Sequence, residues 1–205
     1  MLPETLANAT DLDTWSNRLD ARGILPKLLL RLTYATADGI ERIEFPSEEA
    51  TQLGGWDGIL KVTASSEFIP DGQSGWEIGT NRDIKGKADS DYEKRKADPL
   101  RLQPGDTTFV FVTPRRWGGK DKWVEARRAE GFWRDVRAYD ADDLAAWLER
   151  ALGVHLWLSI LIGKHPEGAT DISNFWDDWA DVTEPRISAE LVISGRQDEV
   201  DSIFS

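Results

Sequence analysis

Between Gln52 and Arg95 the chain presents an acid, a second acid and then a cluster of lysines. Asp57 stands in QLGGWDGILKV, just after the double glycine Gly54-Gly55; Glu77 follows in SGWEIGTN; DIKGKADSDYEKR then supplies Lys85, Lys87 and Lys94. Hydrolysis of a phosphodiester assisted by Mg²⁺ (or Mn²⁺) needs carboxylates to hold the ion and a lysine near the attacking water or the developing charge. Adjacent antiparallel strands would bring Asp57 and Glu77 within a few ångström of each other across the pair. Gly58 would leave room for a phosphate or ion to approach the backbone. If Ile84–Ala97 is helical, Lys87, Asp91 and either Lys94 or Arg95 share one face at i, i+4 and i+7 or i+8. The plainer alternative stays open on spacing alone: a turn aspartate, an exposed strand glutamate and a solvated helix face, in a chain with 37 acids.

Other residues could join that chemistry. Glu44, or alternatively Glu41, could add a carboxylate from an earlier strand, and Gln52 could cap the glycine turn. Trp56 and Trp76 adjoin the two acids and, by strand alternation, should point to the opposite face, into packing. Arg115, Arg116, Lys120 and Lys122 are interleaved with Trp117 and Trp123, a basic aromatic loop suited to a DNA backbone, and Arg95 joins this DNA-facing set. His155, in an apolar helix, and His165, in a Gly/Pro break, do not make a transition-metal site in a chain without cysteine. Neither GxxxxGK[ST] nor GxGxxG occurs, so those nucleotide-binding devices are absent from the sequence.

Local patterning places the elements that must position these residues. Asp11 is a plausible N-cap for a helix carrying Trp15 and Leu19, stopped by Gly23; Pro26 suits the first turn of a second, leucine-dense helix. IERIEF alternates as a half-exposed strand, ILKV and WEIGT are strands joined through the Asp71-Gly72 turn, and the charged helix comes next. TTFVFVT is apolar enough for a central strand buried on both faces. A Gly-punctuated basic loop leads into a short helix, DVRAY is another strand, and Asp140 caps DADDLAAWLERAL; VHLWLSILIG and the acidic, Trp-containing Ile172–Val182 are further helices. The order α-α-β-β-β-α-β-α-β followed by helices predicts an α/β fold, a mixed central sheet with helices on both faces and a helical C-terminal extension.

Composition bounds the rest. The 205 residues suffice for one full core, and ten tryptophans argue against disorder. No cysteine means no disulfide, which fits a reducing cytoplasm. The N-terminus lacks a signal pattern and no apolar run approaches a membrane span. The net charge of −12 disfavours indiscriminate nucleic-acid binding, yet residues 80–137 carry +5 and the remainder −17.

QLGGWDG followed by WEIG resembles the PD-(D/E)xK restriction-endonuclease-like superfamily, particularly its Mrr-like branch. There a Gly-rich turn leads to the motif Asp, and a strand carries an acid or Gln, one residue, then Lys. LPKLLLRL, GGWDGI, FIPDGQSGWEIGT, KADSDYEKR, FVTPRRW, AYDADDLAAWLE and WDDWADVTEP, across about residues 12–196, look similar to N-terminal nuclease-like domains of large bacterial defence proteins, where the domain precedes a STAND-type NTPase. The resemblance implies a restriction-endonuclease-like core over residues 1–163, a helical linker over 164–185 and the start of a following NTPase domain over 186–205. It implies Asp57 and Glu77 as ligands of Mg²⁺ (or Mn²⁺), double-stranded DNA as substrate, C-terminal NTPase and sensor domains as partners in a longer chain, and a homo-oligomeric active state. One position departs from the pattern: two residues after Glu77 stands Gly79, where the superfamily has lysine. Either the site is inactive or the lysine comes from the next helix, as Lys87 or alternatively Lys85.

Overall fold

The computed structural model describes residues 6–46, 55–164, 172–182, 184–188, 191–192 and 194; Gln52, Gly54, His165 and most of the segment after residue 188 lie outside the described residues. The chain divides into two compact units, residues 1–165 and 166–205. The first begins with helix α1 (Ala9–Trp15), whose N-terminus is closed by a reciprocal capping box. Asn8 Oδ1 accepts from the Thr10 and Asp11 N–H groups, while Asp11 Oδ2 accepts from the Asn8 N–H. The cap is therefore Asn8, and Asp11 is its third-position partner. Helix α2 (Ala21–Thr36) starts two residues before Gly23, which therefore does not act as the expected stop, and Pro26 lies within it. Leu19 falls in the turn between the helices and is fully exposed, whereas Trp15, Leu25, Leu28, Leu29 and Leu32 are core.

Strands β1 (Ile40–Glu44), β2 (Gly58–Val62) and β3 (Gly72–Ile78) form an antiparallel meander. Helix α3 (Ile84–Ala97) leads to β4 (Thr107–Val112), every residue of which is buried, and α4 (Lys120–Ala129) leads to β5 (Asp135–Tyr139). Both crossovers make parallel pairs, β3 with β4 and β4 with β5, so the sheet is mixed, in the order β1-β2-β3-β4-β5. Helix α5 (Ala141–Glu149) is capped by Asp140 in a second capping box with Asp143, and α6 (Leu152–Leu161) completes the unit.

Two apolar layers sandwich the sheet. One gathers Trp15, the α2 leucines, Trp76, Val110, Leu144 and Trp147; the other gathers Tyr92, Phe109, Phe111, Trp117, Trp123 and Trp133. The tryptophan-rich composition is thus largely a packing device, since each aromatic ring buries about 150–250 Å². The second unit contains α7 (Ile172–Ala180). No helix among the described residues is long and apolar enough to cross a membrane.

Candidate functional site

The antiparallel β2–β3 pairing sets the geometry of the two acids. Gly58 lies opposite Trp76, so the next step of the register puts Asp57 opposite Glu77. There the strand pairing gives way to a side chain: Asp57 Oδ2 accepts from the Ile78 N–H at 2.9 Å. The expected cross-strand approach is therefore present, with Asp57 fastened to the residue after Glu77. Both acids line a cavity of about 640 Å³ at the end of β3, together with Ile78, Thr80 and Asn81. In open α/β sheets the carboxyl ends of parallel strands are the usual place for a ligand crevice.

Alternation along β3 determines what surrounds Glu77. Gly75, Glu77 and Gly79 project to one face, and each glycine is crossed by another residue's side chain. A Cβ at Gly75 would lie 2.7 Å from the Trp56 ring; one at Gly79 would lie 2.9 Å from Lys87 Cγ and 3.0 Å from Phe111 Cζ. The stem of Lys87 thus occupies the space that a side chain at position 79 would need. Its Nζ reaches Asp91 at 2.6 and 2.7 Å, and Lys87 lines the cavity. Lys85, by contrast, is largely exposed, pairs with Asp89 one turn on, and does not line the cavity. The face predicted for α3 is present, with Lys87, Asp91, Lys94 and Arg95 all at the site.

Trp76 enters the core layer on the side away from the acids, as alternation predicts. Trp56 does not. Residues 55–57 bend rather than continue β2, and Trp56 packs in the acid-side layer against Phe109 and Trp133. Gly58 gives no opening to a ligand either, because the Phe45 ring fills the space over it.

Arg95 is the largest departure from the sequence reading. It is 2% exposed, so it lies inside the domain and not on a DNA-facing surface. Its Nε donates to Glu77 Oε1, its Nη2 donates to the Gly55 carbonyl, and its guanidinium stacks 5.0 Å from the Trp56 ring centroid. One side chain thereby ties the strand acid to the turn that carries Asp57. The bond does not restore an ordinary carboxylate: burial, followed by the charge of Asp57, pushes Glu77 up to about 8, Arg95 offsetting only part and Asp91 adding to the rise. Asp91 is raised as well, mainly by burial and further by Asp57, against the lowering effect of Lys87. Two of the three carboxylates, Glu77 and Asp91, are held by cations, and the third, Asp57, by the Ile78 N–H.

This donor set fits a hard divalent cation. Asp57 and Glu77 offer carboxylate oxygens only, and the protein assigns Asp57 Oδ1 and Glu77 Oε2 no hydrogen bond among the described residues. Burial first, and the Asp57 charge second, disfavour an ionised Glu77, and a cation between the two acids would relieve the repulsion between them. Among the described residues no three His, Cys, Asp or Glu side chains are grouped to hold an ion. Mg²⁺ commonly binds through one or two carboxylates, with waters and substrate phosphates completing its octahedron.

The remaining sequence candidates lie elsewhere. Arg115 braces the fold, bonding the Thr80 and Ser16 carbonyls and Asn17 Oδ1. Lys120 is half-buried between Asp140 and Asp143. Arg116 pairs loosely with Asp142 at 3.5 Å, and Lys122 is exposed. Trp117 and Trp123 are core residues rather than surface aromatics, since both pack against Phe111. Glu41 and Glu44 pair with Lys61 and Arg42 on the exposed edge strand and do not line the cavity. His155 is buried, its Nε2 bonded to the Ala7 carbonyl at 2.7 Å, in a packing role. Two site residues escape the sequence reading. Asp91 counts there only as a helix-face neighbour, although its i, i+4 spacing from Lys87 could have flagged it; Arg22, from the first turn of α2, gives no signal in sequence.

Fold and site together define an open α/β domain with a carboxylate-and-cation cavity at the end of its central strand. In comparisons with protein-family models, curated proteins and solved structures, none matches the chain.

Proposed function

We propose that the domain is a Mg²⁺-dependent endodeoxyribonuclease with a restriction-endonuclease-like core, the effector of a larger bacterial antiviral protein whose NTPase and sensor domains assemble it on double-stranded DNA. The observation that carries the reading is the placement of Lys87 across Gly79. The stem of Lys87 crosses the strand position that the superfamily gives to lysine, and Lys87 lines the same cavity as the two acids, with its ammonium on Asp91. Asp57 and Glu77 would hold the ion, which would supply Lewis-acid stabilisation of the phosphate and a water of lowered pKa. Lys87 would orient that water or offset charge developing on the phosphate, Asp91 would aim Lys87, and Arg95 would fix the spacing of the two acids. Cleavage of plasmid DNA with Mg²⁺ or Mn²⁺ by the wild type, lost in Asp57→Ala, Glu77→Ala and Lys87→Ala, tests this. Wild-type protein that stays inert even when artificially clustered, or variants that cut as well as it does, would sink the reading.

A second reading has its own support. Glu77 and Lys87 are both engaged internally, by Arg95 and Asp91, as a degenerate nuclease fold retained for oligomerisation or partner binding would permit. Inert wild-type protein that self-associates would favour it.

A further inference from the structure

Four cationic and three acidic side chains line the cavity: Arg22, Lys87, Lys94 and Arg95 against Asp57, Glu77 and Asp91. Two of the cations are consumed internally, Lys87 by Asp91 and Arg95 by Glu77. Arg22 and Lys94 are exposed and form no ion pair among the described residues. Lys96, Arg127 and Arg128 by contrast each have a carboxylate within 3 Å, and the exposed Arg82, Arg101 and Lys122, which form no ion pair among the described residues either, do not line the cavity. Two cations left over around an acidic floor are placed for an anion that arrives with the substrate.

Their origins say what shape that anion has. Arg22 comes from α2, which packs in the layer containing Trp76; Lys94 comes from α3, which packs in the layer containing Phe109. The two helices cover opposite faces of the sheet, with Glu77 between them at the end of β3. A single phosphate at the acids would meet Lys87. A chain of phosphates, spaced about 3.4 Å along the axis for each strand of a duplex, presents further charges to either side.

We infer that Arg22 and Lys94 grip the phosphates on either side of the one held at Asp57 and Glu77, so that the site takes a polymeric phosphodiester backbone rather than a mononucleotide. This rests on the nuclease reading for what happens to the central phosphate, but the grip itself is measurable without catalysis. The test is fluorescence anisotropy of a labelled DNA duplex with the 205-residue protein in EDTA across a salt series. Arg22→Ala and Lys94→Ala should each weaken binding and flatten the log–log salt slope by about 0.9, and the double variant by about 1.8. Arg22→Lys and Lys94→Arg should keep the wild-type slope. Both residues are exposed, so the variants should unfold at the wild-type temperature. Slopes unchanged in both alanine variants, wild-type protein that does not bind the duplex, or displacement of the duplex by a mononucleotide at equal phosphate concentration would each overturn the inference. Plasmid cleavage by wild type alongside unchanged slopes would remove the grip and leave the nuclease. Flattened slopes in a protein that never cuts would do the reverse.

Discussion

The crossing of Lys87 over Gly79 predicts an energetic coupling between two residues well separated in sequence. A methyl group placed on Gly79 would stand 2.9 Å from Lys87 Cγ and 3.0 Å from Phe111 Cζ, where carbon–carbon contacts are comfortable at about 3.5–4.0 Å. Phe111 cannot yield easily, being fully buried against Trp117 and Trp123. Lys87 can yield, but only by drawing its ammonium off Asp91, a carboxylate that is 5% exposed. Overpacking of this kind costs about 1–3 kcal/mol, so Gly79→Ala should destabilise by that order. Lys87→Ala, which strands Asp91 without its partner, should cost about 1–3 kcal/mol by itself. In the double variant the clash with the lysine stem has gone and only the Phe111 contact remains. The two costs should therefore fall short of additivity by about 1–2 kcal/mol. Urea denaturation of the four proteins, at a pH where Asp91 is ionised, measures the cycle. Costs that add to within about 0.5 kcal/mol would refute the crossing, and with it the idea that Lys87 replaces a strand lysine.

Glu77 gives the protein a pH signature. Its carboxyl is raised from 4.5 to about 8 by burial and by Asp57, so the folded state holds the proton more tightly than the unfolded state does. Its stabilising contribution is fully present below pH 4.5 and is lost as pH rises through 8. The loss corresponds to about 5 kcal/mol for a group this buried, at about 1.36 kcal/mol per pH unit. Thermal unfolding followed in EDTA should show the decline, Glu77→Gln should flatten it, and Mg²⁺ should oppose it by favouring the ionised form; a wild-type profile that matches Glu77→Gln would contradict the site electrostatics. Above pH 8, where Glu77 is ionised, Arg95→Met should destabilise by about 3–5 kcal/mol, because it leaves that buried carboxylate with no cation. Urea midpoints check this, and a change below about 1 kcal/mol would mean that the pair does not hold the acids together.

What the sequence reveals of this site, and what it hides, divides along the range of the forces involved. Strand order and helix order follow from local periodicity, and the cross-strand meeting of Asp57 and Glu77 follows from one tight register that an apolar, one-sided pairing enforces. The α3 face is legible for the same reason, since i, i+4 and i+8 neighbours are fixed by helix geometry alone. The failures are the charges. Arg95 and Lys94 are adjacent, equally basic and both line the cavity, yet one is buried against Glu77 and Trp56 while the other is exposed. A rotation of about 100° per residue decides between them, and its phase is set by where Tyr92 and Ala88 dock into the aromatic layer. Trp117 and Trp123 fail likewise: a basic, aromatic string looks like a nucleic-acid surface until Phe111 supplies the apolar partner that draws both rings inward. Arg22 lies further still from any local rule, reaching the cavity only because α2 is laid across the sheet by its leucines. Which cations line the cavity without a carboxylate partner therefore depends on the packing of both layers, and local sequence rules do not reach that far.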